Sequence, residues 1–207
     1  MKHIIKKPEP TAFVEWKEEW RGNDIEPGWA EFDGKPMKQT VKAALIEEQG
    51  NLCCFCECRT EMHSGHIAHL LDRQNHPDLV LEYGNLLYSC PENPSGIPQT
   101  CGQSQGNDIL PISPLDDDCE THFAYSQYGS ILGKNDGANE TIRILNLNGS
   151  KQLCESRRRV YEEAHANREL LSPAEFDLWI SAELKRQPDG MFRPFWTTIK
   201  YAAGLYT

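Results

Sequence analysis

The stretch LCCFCECRTEMHSGHIAHLLDRQNHPDLVLEYGNLLYSC, residues 52–90, decides how this chain of 207 residues folds. It begins with Cys53 and Cys56, a Cys-x-x-Cys pair whose spacing lets two thiolates point at one metal ion. A tetrahedral site needs two more sulfurs, and Cys90 and Cys101 are the available downstream pair. Because four cysteine ligands leave no open coordination position, the sequence predicts one structural zinc ion, Zn²⁺.

The second half of this site has an unusually wide spacing. The segment PENPSGIPQT, at 91–100, separates Cys90 from Cys101, and its three prolines and one glycine predict a loop. Cys54 and Cys58 lie beside the first pair, and spacing alone does not exclude a site that uses one of them. We favour the set named above, on the usual ligand spacing of zinc sites.

The cysteine content also bears on the compartment. Eight cysteines are present, six of them between residues 53 and 101. No apolar run is as long as a membrane span of about 18 residues, and segment 1–10 lacks the apolar stretch of a secretory signal. We therefore expect a cytoplasmic chain with reduced thiols, in which the clustered cysteines bind metal and Cys119 and Cys154 are buried free thiols.

The charge balance limits how the chain could bind nucleic acid. Its formal net charge of −10 argues against broad non-specific wrapping, because such binding comes from Lys and Arg that neutralise phosphates. Nucleic-acid binding would need a basic patch on one face or a partner subunit. The densest cationic run, RRR at 157–159, has the acidic neighbours Glu155 and Glu162, so we expect a solvated helix face.

The patterns of apolar, capping and turn residues divide the chain into three regions. Residues 1–35 are predicted to be an N-terminal arm with a short helix, 36–110 the cysteine and histidine core, and 111–207 a mainly helical C-terminal region. Helices are predicted over Thr11–Arg21, from Pro36 to Gln49, from near Ser150, from Ser172 to before Pro188, and over Phe195–Ala203; β structure is predicted over Asp78–Tyr83 and in a hairpin around Gly129.

The order of several short motifs resembles that of the HNH endonucleases with a ββα-metal centre. More narrowly, it is similar to the HNH subunit of Septu and retron-associated phage-defence systems, PtuB. The likeness extends to about Arg159. The motifs are Leu52–Glu57, His66-Ile67-Ala68-His69, Tyr83–Cys90, Cys101-Gly102, Thr141–Arg143 and Leu145–Asn148.

The resemblance implies an α+β fold, with a zinc-braced ββα-metal (HNH) nuclease core over 36–110 and a largely helical C-terminal half. It implies that His69 is the general base, taking a proton from the water that attacks a phosphodiester of nucleic acid. A neutral imidazole suits that task at pH 7. Asn85 would brace the loop between strand and helix, and one divalent ion, Mg²⁺ or Mn²⁺, would stabilise charge on the phosphate.

One position departs from the family pattern at a decisive place. The residue before the base histidine is normally an acid that binds the catalytic metal, and here it is Ala68, whose methyl group cannot bind a cation. Either an engineered substitution has inactivated the site, or a natural chain binds its metal otherwise. We favour the first. In the second case His66, on the same face of an extended strand as Ala68, would partly replace the missing ligand.

The segment after Cys101 also departs from the pattern. Gln105 stands where relatives often have a lysine, so a phosphate contact is absent there. Since Gly102 has no side chain, Asn107 is our candidate for the last ligand of the catalytic divalent ion, because amide oxygens can bind hard cations. Gln103 and Asp108 are the rival ligands.

These residues predict a metal-dependent endonuclease that acts in anti-phage defence. The resemblance implies an ABC-type, SMC-like ATPase partner of the PtuA type, and in the retron systems a reverse transcriptase with its nucleic acid. An acidic nuclease that its partner delivers to nucleic acid fits the charge balance. The alternative is a non-catalytic zinc-binding interaction module that retains the HNH frame, and Ala68 favours it.

Overall fold

The computed structural model describes residues 1–62 and 64–205, so the last two residues of the predicted C-terminal region lie outside it. It confirms the α+β class, and none of the described helices is long and apolar enough to cross a membrane. The helices are α1 (Thr11–Arg21), α2 (Trp29–Phe32), α3 (Pro36–Glu48), α4 (Gly102–Gln105), α5 (Asp136–Ile144), α6 (Lys151–Leu170), α7 (Pro173–Leu184) and α8 (Trp196–Ala202). The strands are β1 (His66–His69), β2 (Leu86–Ser89), β3 (Phe123–Tyr125) and β4 (Ile131–Gly133).

Local sequence signals place most of the helix ends. α1 has the predicted bounds, and α3 begins at Pro36 and stops just before Gly50, whose φ of +62° favours glycine. α7 begins with the predicted capping box, in which the Ser172 hydroxyl accepts from the Glu175 amide and the Glu175 carboxylate accepts from the Ser172 amide. The predicted hairpin is also present, since β3 and β4 pair antiparallel across Gly129.

Three local predictions are wrong. Cys154 is only half-buried, whereas Cys119 is buried as predicted. The segment Asp78–Tyr83 is not a strand, because a 3₁₀ turn over Pro77–Leu79 and a second one over Tyr83–Asn85 carry the chain into β2. Proline fixes φ and cannot donate to a strand ladder, which favours the turn. Arg157 is not on a solvated face: it is 1% exposed and its guanidinium donates to the carbonyls of Gly129 and Leu147.

The β1–β2 sheet lies between two hydrophobic clusters. The strands pair antiparallel, with His66 opposite Ser89 and His69 opposite Leu86. Leu87 packs into a cluster with the cysteines, while its neighbour Tyr88 packs with Val41 and Leu45 of α3 in the other cluster. Because side chains alternate along a strand, the short β2 serves both clusters and is buried along its whole length.

The predicted N-terminal arm is part of this core. Phe13 of α1 and Phe32 of α2 are fully buried in the cluster that contains α3. Met1 and Ile4 are buried in the cluster that contains the cysteines. The first 35 residues therefore cover both sides of the sheet, and α2 is brought to the edge where β1 ends.

The C-terminal half is tied to the loop that carries the first cysteine pair. Glu57, which is 3% exposed, accepts from the Thr197 amide at 2.8 Å, and its backbone carbonyl accepts from the Phe195 amide at 3.0 Å. The Met1 amino group lies 3.2 Å from the same carboxylate. A buried carboxylate needs such partners, so this network fixes α8 against the cysteine loop.

Candidate metal centre and active-site groove

The structure brings together the four cysteines that the sequence singled out. The sulfur atoms of Cys53, Cys56, Cys90 and Cys101 all lie within 4.8 Å of one another, and all four residues are buried. Cys53 and Cys56 stand in the loop after α3. Cys90 directly follows β2, and Cys101 directly precedes α4. Cys101 has a φ of +58°, which is unusual outside glycine, so its surroundings hold it in a strained conformation.

This arrangement fits a tetrahedral soft metal ion. Zinc binds thiolates at about 2.3 Å, which places its sulfur ligands about 3.8 Å apart. The Cys56 and Cys90 sulfurs lie 3.3 Å apart, and all four sulfurs lie within 4.8 Å of one another, a range that includes this spacing. In the residues that the structure describes, no second group of three or more His, Cys, Asp or Glu side chains could hold a metal ion.

Cys58 is the nearest rival ligand. Its sulfur lies 3.1 Å from that of Cys90 and 3.3 Å from that of Cys56, yet it is not a member of the compact group. Hydrogen bonds from the Cys56 and Cys90 thiols lower the pKa of Cys58 to about 5. Cys54, the other rival named by the sequence, is buried outside the group.

A groove of about 740 Å³ lies beside β1. It is bounded by β1, by the loop that follows it, by α4 and by the start of α2. The polar and aromatic residues that line it are Trp29, His66, His69, Asp72, Arg73, Gln74, Gln103, Gln105 and Asn107. The groove is therefore where the chemistry-bearing residues of the sequence motif meet.

The ring of His69 is held in one orientation. Its Nε2 lies 3.0 Å from the backbone carbonyl of Val80, and since a carbonyl only accepts, Nε2 carries the proton and Nδ1 has a free lone pair. The indole of Trp29 meets the ring edge-on, with centroids 4.9 Å apart. Burial lowers the pKa of His69 to about 4, so the ring is neutral at pH 7.

His66 connects the groove to the cysteine group. Its Nδ1 donates to the backbone carbonyl of Cys90 at 2.6 Å, so its Nε2 has the free lone pair. That atom lies 2.9 Å from the position that a Cβ on Gly102 would occupy. Cys90, one of the four clustered cysteines, therefore also fixes the orientation of the His66 ring in the groove.

The groove positions expected to bind a divalent ion do not form a ligand set. Ala68 and Gly102 face each other, and a Cβ on Gly102 would lie 2.9 Å from that of Ala68. The Asp72 carboxylate accepts from the amides of Gln74 and Asn75 and caps a turn. Asn107 lines the groove, where its side-chain amide donates to Gln74.

The other predicted positions around the groove have structural contacts. Gln105 is 3% exposed and its amide donates to the carbonyls of Leu70 and Asp108, so it does not face a substrate as a lysine would. Gln103 lines the groove, whereas the Asp108 side chain does not.

Asn85 holds the loop after β1 in place. Its side-chain oxygen accepts from the Leu71 amide at 2.8 Å, and its NH₂ group donates to the carbonyls of Leu71 and Leu79 at 3.0 and 3.1 Å. Asn85 is 8% exposed, so these are its available partners. The loop that carries Val80, the partner of His69, is thereby fixed.

Comparison with known proteins adds an independent observation. No family model matches the chain. A Retron Vc95 HNH endonuclease of Vibrio cholerae serotype O1 biovar El Tor is 34% identical over 102 residues, covering 48% of this chain and 49% of that protein. Over these residues, this chain is similar to a protein named as an HNH endonuclease. The Septu protein PtuB of Bacillus thuringiensis is 31% identical over 126 residues, covering 58% of this chain and 44% of that protein.

These matches confirm the resemblance to PtuB-type HNH proteins that the motifs indicated. The chain spans about half the length of the curated relatives it matches. Sequence reasoning overlooked two groove residues of this HNH relative, Trp29 and Arg73. Neither belongs to a spacing motif: the packing of α2 onto the end of β1 brings Trp29 to His69, and Arg73, in the loop after β1, stacks on that indole.

Proposed function

We propose that this chain is a zinc-braced, HNH-type nuclease subunit of an anti-phage defence system that acts on nucleic acid. The names of its two relatives support the HNH and defence assignments. The observation that carries the proposal is the fixed, neutral His69 in a groove large enough for a phosphodiester segment.

The part proposed for His69 follows from its contacts. With Nε2–H bound to the Val80 carbonyl, Nδ1 accepts a proton from a water molecule that attacks phosphorus, and the P–O bond on the opposite side breaks. His69 is half-buried, and the Trp29 ring covers part of its imidazole. Asn85 keeps Val80 at the distance that this orientation needs.

Zinc would be held by Cys53, Cys56, Cys90 and Cys101, and its contribution would be to cross-link loop, strand and helix. The Cys90 carbonyl accepts a hydrogen bond from His66 and so would hold that ring in place in the groove. A catalytic Mg²⁺ or Mn²⁺ fits less well, because Ala68 and Gly102 offer no oxygen ligand and Asp72 caps a turn.

A second candidate function follows from that disagreement. A non-catalytic zinc-binding module that docks nucleic acid or a partner would need neither an acid at position 68 nor a side chain at position 102. The facing pair of Ala68 and Gly102 favours it.

The proposal includes a partner. The relative named PtuB belongs to a Septu system, and we propose a PtuA-type ATPase of the ABC/SMC-like kind as the partner of this chain in the cytoplasm, with a retron reverse transcriptase as a further component in the retron systems. With a net charge of −10, the chain alone attracts nucleic acid poorly, so the ATPase would deliver it.

A cleavage assay tests the proposal and separates the two candidates. Wild type, Ala68→Glu and His69→Ala are incubated with labelled DNA and RNA in Mg²⁺ or Mn²⁺, with and without the ATPase, and His165→Ala serves as control because that histidine is exposed on α6. Cleavage by wild type or by Ala68→Glu that His69→Ala abolishes supports the nuclease. Binding without cleavage by any variant supports the module.

A further inference from the structure

The groove has an unusual charge composition for a site that handles phosphates. Its two histidines have lowered pKa values because of burial and are neutral at pH 7. Its one acidic lining residue, Asp72, accepts from the backbone amides of Gln74 and Asn75 and from the Asn75 side chain, so its carboxylate is bound to its own loop. Among the described lining residues, the one cationic side chain is that of Arg73.

Arg73 is held by an aromatic ring. Its guanidinium lies over the indole of Trp29, 4.6 Å from the centroid, and the same indole contacts His69. A guanidinium on an aromatic face keeps its N–H edge available for an anion. Trp29 therefore contacts both the cation and the proposed general base.

The positive charge of Arg73 is not neutralised by the protein. No acidic side chain in the described part of the chain forms an ion pair with it. Lys38, which also lies near Trp29, is paired with Asp33. Lys42 donates to the carbonyl of Gly65. That bond leaves the charge of Lys42 unneutralised, but Lys42 does not line the groove; among the described lining residues, Arg73 is therefore the cation that can accept a new anionic partner.

We propose that Arg73, stacked on Trp29, binds the phosphodiester beside His69 and supplies there the positive charge that a divalent ion would otherwise provide. This inference rests on the proposed function, since it assumes that nucleic acid enters the groove. A guanidinium offers two parallel N–H donors to a phosphate, with geometric selectivity that a lysine lacks. The groove then needs no ligand at positions 68 and 102 to hold its substrate.

Fluorescence anisotropy with a labelled single-stranded oligonucleotide, in buffer without Mg²⁺, tests the inference. The variants are Arg73→Ala, Arg73→Lys and the control Arg159→Ala, an exposed cation of α6 outside the groove. Arg73→Ala should bind roughly tenfold more weakly and lower the salt dependence by about one phosphate contact. Arg73→Lys should recover part of the affinity, and Arg159→Ala should match wild type.

Three results would overturn the inference. Equal binding by wild type and Arg73→Ala would show that another group holds the phosphate. A roughly tenfold gain in affinity on adding Mg²⁺ to wild type would show that a divalent ion, and not Arg73, supplies the positive charge. Absence of binding by wild type to DNA and RNA both without and with the ATPase would remove the proposed function as well. Since Arg73 is exposed, its variants should keep the wild-type circular dichroism spectrum.

Discussion

The cysteine group and the groove both adjoin the β1–β2 sheet, but they differ in how many of the expected metal ligands are present. Four buried thiols converge on one point in the first. In the second, His69 and its carbonyl partner are in place, while Ala68 stands where the motif leads us to expect an acidic ligand, and Gly102 faces it. The proposed zinc site therefore has its full ligand set, and the proposed divalent site does not.

The contacts explain why the frame would persist. The thiols, His66 and Asn85 each hold backbone segments together, so losing one of them would disturb the packing of β1 and β2. The fold does not need a metal ligand at position 68, because the methyl group of Ala68 is already buried in the cluster that contains the cysteines. Packing and hydrogen bonding therefore constrain these structural positions more strongly than they constrain position 68.

The largest effect is expected on breaking the cysteine group. Cys101→Ser removes one of four ligands and should release zinc and destabilise the chain by several kcal/mol, because metal binding is coupled to folding. Zinc content by mass spectrometry and the melting temperature measure this. Cys154→Ser, at a half-buried thiol outside the group, is the matched control.

Cys58→Ser sharpens the same test. If the four-cysteine set is right, this variant keeps its zinc although its sulfur lies next to Cys90. Zinc loss in Cys58→Ser combined with zinc retention in Cys101→Ser would show that the ligand set is wrong.

Asn85→Ala should give the next largest effect. It leaves the Leu71 amide and the carbonyls of Leu71 and Leu79 without their partner, which should cost about 1–3 kcal/mol in the free energy of unfolding. Urea denaturation measures it. Asn23→Ala, at an exposed asparagine with one hydrogen bond, should change little.

Much of the frame was predictable from local sequence. Helix α1, the capping box of α7 and the four cysteines follow from short-range spacing and capping chemistry. Arg157 was mispredicted because its burial depends on the carbonyls of Gly129 and Leu147, which are distant in sequence.

The groove shows the same division. The motif marked His69 and the missing acid at position 68, because these are properties of one strand. It could not indicate Trp29, whose approach to His69 depends on how α2 packs against the sheet, or the stacking of Arg73 on that indole. Long-range packing of this kind leaves no periodic signal in the sequence.

The substitution Ala68→Glu would add the missing acidic ligand to the groove. The new carboxylate lies beside His66 and should strengthen Mn²⁺ binding roughly tenfold, about 1.4 kcal/mol. Electron paramagnetic resonance of free Mn²⁺ measures it, and Ala68→Gln, of the same shape without charge, is the control. Equal binding by the two variants would mean that the groove cannot be converted into a divalent site by one ligand.

The smallest effect concerns pH. His69 has a folded-state pKa of about 4, below the value of about 6.5 in an unfolded chain. Between these values the unfolded state binds more protons, so stability should rise with pH in this window and be lost as pH falls. His69→Gln should flatten this part of the stability profile; an unchanged profile would contradict the buried, neutral ring.

The most direct test of the central claim is the metal content of the wild-type chain. After dialysis, the account predicts one zinc per chain that Cys101→Ser lacks, and no stoichiometric Mn²⁺ in a subsequent titration followed by electron paramagnetic resonance. One tightly bound Mn²⁺ per chain that His69→Ala or Asn107→Ala removes would contradict it, because the groove would then hold a complete divalent site. A wild-type chain without zinc would contradict the other half of the comparison.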